Sequence, residues 1–190
     1  MQVAVLFCGL GLACATTLSA QGAKTNAGSR PDRITNNKYR FSVMFPPKWF
    51  VYDGGDVPAF FNFRPELSVQ GELPPGGASI CMLVTTDEKE QQSDTALSKW
   101  AEQKVKSHHG GNVERRVING PVETGASPAL RVSLDSPALS PDLQSLRYVI
   151  VFWQYKGTSF GLELSYAKDD PNATRYENVL LEVMRSFRPT

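Results

Sequence analysis

The sequence LRYVIVFWQYKGTSFGLELSY, residues 146–166, decides the fold class. It contains two strand-like segments, 146–155 and 158–166, which flank Lys156-Gly157. A two-residue linker with Gly predicts a tight turn between antiparallel strands, because Gly readily adopts the positive φ angle that such turns need. The stretch 148–153 is apolar throughout, which is typical of a central strand covered on both faces. The sequence therefore predicts a β-hairpin in the interior of a sheet.

A helix is predicted shortly after this hairpin. Asp169-Asp170-Pro171 has the composition of a helix start, a carboxylate cap followed by Pro at the first helical position. Apolar side chains then recur at helical spacing over three turns, at Tyr176, Val179, Leu180, Val183, Met184 and Phe187. Such a stripe marks the face of a helix that packs against a core.

The preceding part of the chain predicts more strands and one further helix. Strands are indicated by alternating or continuous apolar runs at 39–45, 49–52, 59–63, 78–85, 113–118 and 129–134. A change to helical spacing follows the cap candidates Ser93, Asp94 and Thr95, and this helix ends near His109. Hairpin-length connections dominate, so we expect an α+β fold with a mainly antiparallel sheet and helices packed against it.

The first twenty residues indicate export. Residues 1–20 carry no charge, and their apolar run of 16 residues, 3–18, is shorter than the roughly 20 residues that span a bilayer. An apolar run of this length followed by Ser19-Ala20 is typical of a cleaved secretory signal. The alternatives are an uncleaved membrane anchor and a buried helix. We expect a periplasmic or secreted protein with no transmembrane helix after cleavage. Lipid attachment at Cys14 is disfavoured, since Gly11 stands where a lipoprotein signal has a large aliphatic residue.

Residues 21–37 are polar and rich in Gly and Asn, which predicts a flexible leader before a single domain at 38–188. Signal cleavage would leave Cys81 as the one cysteine, so no intramolecular disulfide is expected. A chain of this size buries enough surface to fold without one.

Several segments resemble the PsbP-like fold. They are YRFSV at 39–43, FPPKW at 45–49, the strand at 160–166 and the helix at 176–187, which ends in MRSF. That fold is shared by an extrinsic protein of the photosystem II oxygen-evolving complex, a Ran-binding import factor and many exported bacterial proteins. The resemblance implies an antiparallel sheet with helices on both faces, an α/β/α sandwich, and members that act by docking onto larger assemblies.

The sequence offers no recognisable catalytic or metal-binding motif, so we expect no enzymatic activity and no cofactor. Twenty Lys and Arg against nineteen Asp and Glu give a net charge of +1, which disfavours nucleic acid as a partner. The two histidines, His108 and His109, are expected to be polar side chains at a helix C-terminus. Cys81 is expected to be a buried, inert thiol.

The candidate binding residues are aromatic side chains and a Pro-rich loop. Phe50 and Phe60 lie in an aromatic cluster at 49–63, and Leu73, Pro74 and Pro75 lie in the loop at 66–77. Exposed aromatic side chains and loops on a rigid scaffold are common recognition surfaces. We expect a module that docks onto an envelope protein or complex. The alternative is a carrier of a small apolar ligand in a groove between the sheet and a helix.

Overall fold

A computed structural model of the chain describes residues 33–52, 55–65, 72–85, 94–108, 111–121, 128–138 and 143–190. Within these ranges the chain forms ten strands and two helices. The strands are β1 Arg33–Asn36, β2 Phe41–Met44, β3 Phe50–Tyr52, β4 Ala59–Phe61, β5 Ala78–Thr85, β6 Gly111–Ile118, β7 Ala129–Ser136, β8 Leu146–Tyr155, β9 Thr158–Ala167 and β10 Arg188–Pro189. The helices are α1 Asp94–Ser107 and α2 Ala173–Arg185. The predicted signal at 1–20, with Cys14, and residues 21–32 of the predicted leader lie outside the described residues.

The strands form two sheets. Seven strands pair in the order β3-β4-β5-β9-β8-β7-β6, and a smaller sheet has the order β1-β2-β10. All strand pairings in the described ranges are antiparallel. The arrangement confirms the predicted α+β class with a mainly antiparallel sheet.

The predicted hairpin is formed by β8 and β9, in the interior of the larger sheet. Its register runs without interruption from Leu146 opposite Ala167 to Tyr155 opposite Thr158. Lys156 and Gly157 form the turn with φ angles of 46° and 78°. Two positive φ angles are those of a type I′ turn, whose twist matches that of the flanking strands.

The two faces of β8 lie in two different cores. Val149, Val151 and Trp153 belong to the larger core, which α2 and the smaller sheet cover. Ile150 and Phe152 belong to the second core, which lies under α1. The continuous apolar run is therefore explained by strand alternation between two buried faces. Helices lie on both faces of the sheet, as expected.

Aromatic contacts centred on Phe187 fill the larger core. The ring of Phe187 lies 4.8 Å from Phe160 and 5.4 Å from Trp153, measured between ring centroids. It also stacks on Phe41 of β2 at 5.9 Å. Phe187 follows the last turn of α2, so one side chain joins the helix, the central hairpin and the smaller sheet.

The start of the folded region differs from the prediction. Arg33–Asn36 were assigned to the flexible leader, but they form β1, which pairs with β2. The Arg33 guanidinium donates hydrogen bonds to Ser42 Oγ and Ser42 O, both at 3.2 Å, and to Ser186 O. These bonds fix a polar segment that has no apolar periodicity of its own. Tyr39, predicted in a strand, lies in the turn between β1 and β2.

The start of α2 also differs from the prediction. The helix begins at Ala173 with Asn172 at the cap position, two residues later than the Asp170-Pro171 signal indicated. Asp170 Oδ1 accepts a hydrogen bond of 2.8 Å from the Asn172 backbone N–H, so its carboxylate stabilises the turn before the helix. The predicted apolar stripe is confirmed, with Tyr176, Leu180 and Val183 among its buried members. In the described ranges, neither helix is long and apolar enough to cross a membrane.

Replacement of Phe187 by Ala tests whether this side chain joins the layers. We expect Phe187→Ala to lower the free energy of unfolding by about 3–5 kcal/mol, because a fully buried ring leaves a cavity between three elements. Urea denaturation followed by circular dichroism measures the loss. The exposed Val117→Ala is the matched control, and equal midpoints for the two variants would contradict the role of Phe187.

Candidate functional site

A buried Lys–Glu ion pair with a histidine beside it lies between α1 and the sheet. Glu163 of β9 is only 4% exposed. Its Oε2 atom lies 3.5 Å from Lys104 Nζ and 3.2 Å from His108 Nε2. We call Lys104, His108 and Glu163 the ionic cluster.

Strand and helix spacing together produce the ionic cluster. Leu162 and Leu164 face the larger core, so alternation turns Glu163 towards α1. Lys104 and His108 are four residues apart, which places both on the same side of the helix end. The His108 ring also stacks on Tyr148 of β8, with 3.9 Å between ring centroids. The ionic cluster therefore anchors the C-terminal end of α1 to the centre of the sheet.

The ionic cluster adds a buried contact to the expectation for the histidines. His108 lies at the C-terminus of α1, as expected, and is buried there against Glu163 and Tyr148. His109 lies outside the described residues. The sequence signal was a single Glu within an apolar strand, together with Lys104 and His108 at helical spacing. Among the described residues, no group of three or more His, Cys, Asp or Glu side chains is arranged to hold a metal ion.

A second charged contact attaches α2 to the opposite face. Arg131 Nη2 of β7 donates a hydrogen bond of 2.8 Å to Glu177 Oε2. The Tyr166 hydroxyl of β9 donates to the other carboxylate oxygen, also at 2.8 Å. Burial, and then the acceptor Glu177, raise the pKa of Tyr166 well above its usual value. The Tyr166 hydroxyl therefore stays protonated and can donate this hydrogen bond. Each helix is thus attached to the sheet by a polar contact, Glu163 for α1 and Glu177 for α2.

Aromatic side chains project from one face of the β3–β4 hairpin, the face shared with α1. Phe50 pairs with Phe61 across the two strands, so both lie on this face, and Tyr52 follows two residues after Phe50. Phe63 contacts Phe61 edge to face at 5.5 Å. Tyr52 is 41% exposed, and the three Phe side chains are half-buried. We call Phe50, Tyr52, Phe61 and Phe63 the aromatic surface.

The structure separates the binding residues that the sequence suggested. Phe50 belongs to the aromatic surface. Phe60 points to the other side of the hairpin and is fully buried, and its ring centroid lies 5.9 Å from that of Phe45. Phe60 is therefore a core residue and cannot line a surface. Phe61 and Phe63, which the sequence placed in the same cluster, lie on the solvent-facing side instead. Alternation along the strand places Phe60 and Phe61 on opposite faces, but only the packing of the sheet shows which of the two faces is the core.

The Pro-rich loop residues form a turn that is hydrogen-bonded to both the β4 end and α2, since Gly76 O also accepts a hydrogen bond of 2.9 Å from Asn62 Nδ2. Leu73 O accepts a hydrogen bond of 2.9 Å from Gln144 Nε2, and Pro74 O accepts one of 2.7 Å from the Gly77 N–H. Gly76, at a φ of 70°, accepts a hydrogen bond of 2.8 Å from the Tyr176 hydroxyl of α2. Pro75 is exposed in this turn. Leu73, Pro74 and Pro75 thus form a turn fastened near the start of α2.

A shallow cleft of about 650 Å³ lies beside α2, between the helix start and Pro47-Lys48. Its lining mixes polar side chains such as Asn172 and Arg175 with the apolar Pro47, Pro171 and Val179. The cleft is open to solvent and lies outside the aromatic core, so it does not enclose a ligand between the sheet and the helix.

Cys81 lies directly opposite Glu163, on β5. The sequence predicted a buried thiol, but the side chain is partly exposed. It lies on the face of the sheet that carries α1, between the ionic cluster and the aromatic surface.

No protein-family model matches the chain, and no curated protein sequence matches it significantly. Solved structures are nevertheless similar. The Ran-binding protein Mog1p of Saccharomyces cerevisiae superposes with a TM-score of 0.54 at 12% identity, over 83% of this chain and 94% of Mog1p. A protein of Bacteroides thetaiotaomicron gives 0.51 at 9% identity, over 84% of this chain and 48% of that protein. The cyanobacterial PsbP protein of Synechocystis sp. PCC 6803 gives 0.47 at 13% identity, over 86% and 96%.

At these identities the likeness concerns the fold alone. The match to Mog1p extends over nearly its whole length, and it confirms the PsbP-like fold that the sequence indicated.

Replacements in the ionic cluster test its role as an anchor. We expect Glu163→Gln to lower the free energy of unfolding by about 3–5 kcal/mol, because it leaves the Lys104 charge buried without its counterion. The double variant Lys104→Met with Glu163→Gln should recover part of that loss, since the buried charge is then removed. Urea denaturation of both single variants and the double variant measures the coupling. Additive losses would show that Lys104 and Glu163 do not act as a pair.

Proposed function

We propose that this protein is an exported, non-enzymatic interaction module that docks onto an envelope protein through the aromatic surface. The observation that carries the proposal is the position of Phe50, Tyr52 and Phe61 on a hairpin whose other face is core. Phe60 on the core face of the hairpin is fully buried, whereas the aromatic side chains on the other face remain in contact with solvent.

Aromatic side chains favour protein recognition for physical reasons. They bring a large apolar area with few rotatable bonds, so their fixation in a complex costs little conformational entropy. The hydroxyl of Tyr52 adds a polar group at the rim. We infer that the partner offers a short apolar segment that covers the three Phe rings.

The position of β3 adds a second attachment possibility. Among the described strands, β3 is the last on its side of the larger sheet. Its outer edge can pair with an extended segment, and main-chain hydrogen bonds would add affinity to the aromatic contacts. An extended apolar peptide segment therefore fits both features.

Two further observations support the proposal. Mog1p, which shares this fold, is described as a Ran-binding protein, so the fold is used elsewhere to bind another protein. The uncharged, largely apolar residues 1–20 favour export. We therefore expect an exported protein to meet its partner in the envelope.

The alternative, a carrier of an apolar ligand, has less support. The space between α2 and the sheet is filled by aromatic contacts, such as Trp49 with Tyr176 at 6.4 Å and Phe160 with Phe187 at 4.8 Å. We therefore propose the docking function alone.

Polar replacements on the aromatic surface test the docking function. We expect Phe61→Ser, and independently Phe50→Ser, to abolish recovery of the partner from envelope extracts while the fold is retained, because both remove apolar contact area at the centre of the surface. Affinity purification with mass spectrometry measures recovery, and circular dichroism checks folding. Met44→Ser, at an exposed apolar side chain of the smaller sheet, is the matched control. Equal recovery with all three variants would disprove the role of the aromatic surface.

Cell fractionation tests export. We expect the protein to be found in the envelope or the medium, with a mature N-terminus at Gln21, because cleavage after Ala20 removes the apolar run. Mass determination of the purified protein identifies the N-terminus. Replacement of Leu10 by Arg interrupts the apolar run, and it should retain the precursor in the cytoplasm. A full-length chain that stays in the cytoplasm without this replacement would contradict export.

A further inference from the structure

The second edge of the larger sheet is formed by β6. Among the described strands, β6 is the last on its side, and residues 111–117 are all exposed. Val117 is 73% exposed and Val113 37%. Eight residues make a long edge strand, and exposed edges of this kind pair readily with another strand.

Side chains on β6 are segregated by face. Arg115 pairs with Val132, which belongs to the core under α1, so Arg115 and Val117 lie on the α1 side. Val113 lies in the bulge between Gly111 and Glu114. Glu114 and Arg116 lie on the α2 side, opposite Ser133 and Arg131.

We propose that β6 is a self-association edge, at which two copies of this chain pair antiparallel across a twofold axis through Arg115. In this register Glu114 of each copy faces Arg116 of the other, which forms two opposite-charge pairs on the α2 side. In the same register the exposed Val117 lies opposite Val113, next to the bulge of β6, which adds two apolar contacts. Opposite charges and β-branched side chains are both favourable cross-strand pairs.

The two neighbouring registers are disfavoured by charge. A twofold axis normal to the sheet keeps each face continuous, and an axis through residue 114 or 116 brings two Glu114 or two Arg116 side chains into opposition. Like charges directly opposite each other destabilise a strand pair. The Glu114 and Arg116 side chains therefore favour the proposed register over its two neighbours.

The proposed axis brings the two Arg115 side chains together. The Arg115 guanidinium, however, lies 3.8 Å from Glu102 of α1 in its own copy. This carboxylate offsets the positive charge near the axis. The surface lies at the opposite edge of the sheet from the aromatic surface, so self-association leaves the proposed docking site accessible.

Charge reversal and charge exchange test the proposal. Sedimentation velocity of the purified protein should show a reversible dimer. We expect Arg116→Glu and Glu114→Arg each to raise the dimer dissociation constant at least about tenfold, since each change converts two attractive pairs into two repulsive ones. The double variant with both changes should restore dimerisation, because the pairs are re-formed with exchanged signs.

The control is Arg185→Glu, an equal change of charge on the exposed side of α2. A monomer at all concentrations would overturn the proposal. A dimer that tolerates both single reversals, or that the double variant fails to restore, would overturn it as well.

Cysteine cross-linking tests directly which residues face each other at the proposed dimer axis. In a chain whose native cysteines are replaced by Ser, Arg115→Cys places two thiols at the axis, within the Cα separation that a disulfide requires. We expect oxidation to yield a covalent dimer with Arg115→Cys and not with Glu114→Cys. Equal cross-linking of the two variants would disprove the register. Partner recovery with the Phe61→Ser variant is a separate measurement, so failure of either proposal is distinguishable.

Discussion

The burial of β8 and β9 on both faces is the constraint on which the rest of the structure depends. Neighbouring residues such as Val149 and Ile150 point into different cores, and both are fully buried. Each square ångström of apolar surface returned to water costs about 25 cal/mol, so neither face can stay open. The chain meets this requirement with α1 on one side and with α2 and the smaller sheet on the other. The smaller sheet completes the second cover, because β2 brings Phe41 and Val43 into the same core as Phe187.

The elements that cover the two faces of the larger sheet differ in width, and this difference leaves the aromatic surface exposed to solvent. A helix is about 10 Å across, whereas neighbouring strands are about 4.8 Å apart, so one helix covers about two strands. On the α1 side the helix contacts β7 and β8, and Glu163 on β9 lies at its margin, where Lys104 and His108 reach it. The β3–β4 hairpin lies two strands farther along the sheet, beyond that reach. On the other side α2 and the smaller sheet act together, and Phe60 is buried there. One hairpin therefore has a core face and an open face.

The sequence predicted long elements well and short or polar ones poorly. The β8–β9 hairpin and the α2 stripe were predictable because their apolar patterns repeat over many residues. β1 and β10 have four and two residues, and their positions depend on side-chain hydrogen bonds such as Arg33 to Ser42 and Ser186 O. Such partners are 9 and 153 residues away in the chain, so no local pattern reveals them. The same holds for His108, whose burial depends on a Glu in another element. In the aromatic cluster, alternation separates Phe60 from Phe61, but only the packing against α2 and the smaller sheet shows that the Phe60 face is the buried one.

An open antiparallel sheet has two edges, and in this protein the two edge strands, β3 and β6, differ in length and composition. β3 has three residues between Pro47 and Pro58, which limits the length over which any strand can pair with it. Its contribution to recognition therefore depends more on the aromatic side chains than on the backbone. β6 has eight residues and a bulge near Gly111, and within 111–118 it contains no proline, so its backbone is the more capable partner. A long edge of uncharged residues would accept many strands in many registers. The alternation of Glu114 and Arg116 on one face restricts that choice, because these side chains pair opposite charges in the proposed register and like charges in the two neighbouring registers. Charges on an edge strand thus select as well as repel, and which effect dominates depends on their spacing along the strand.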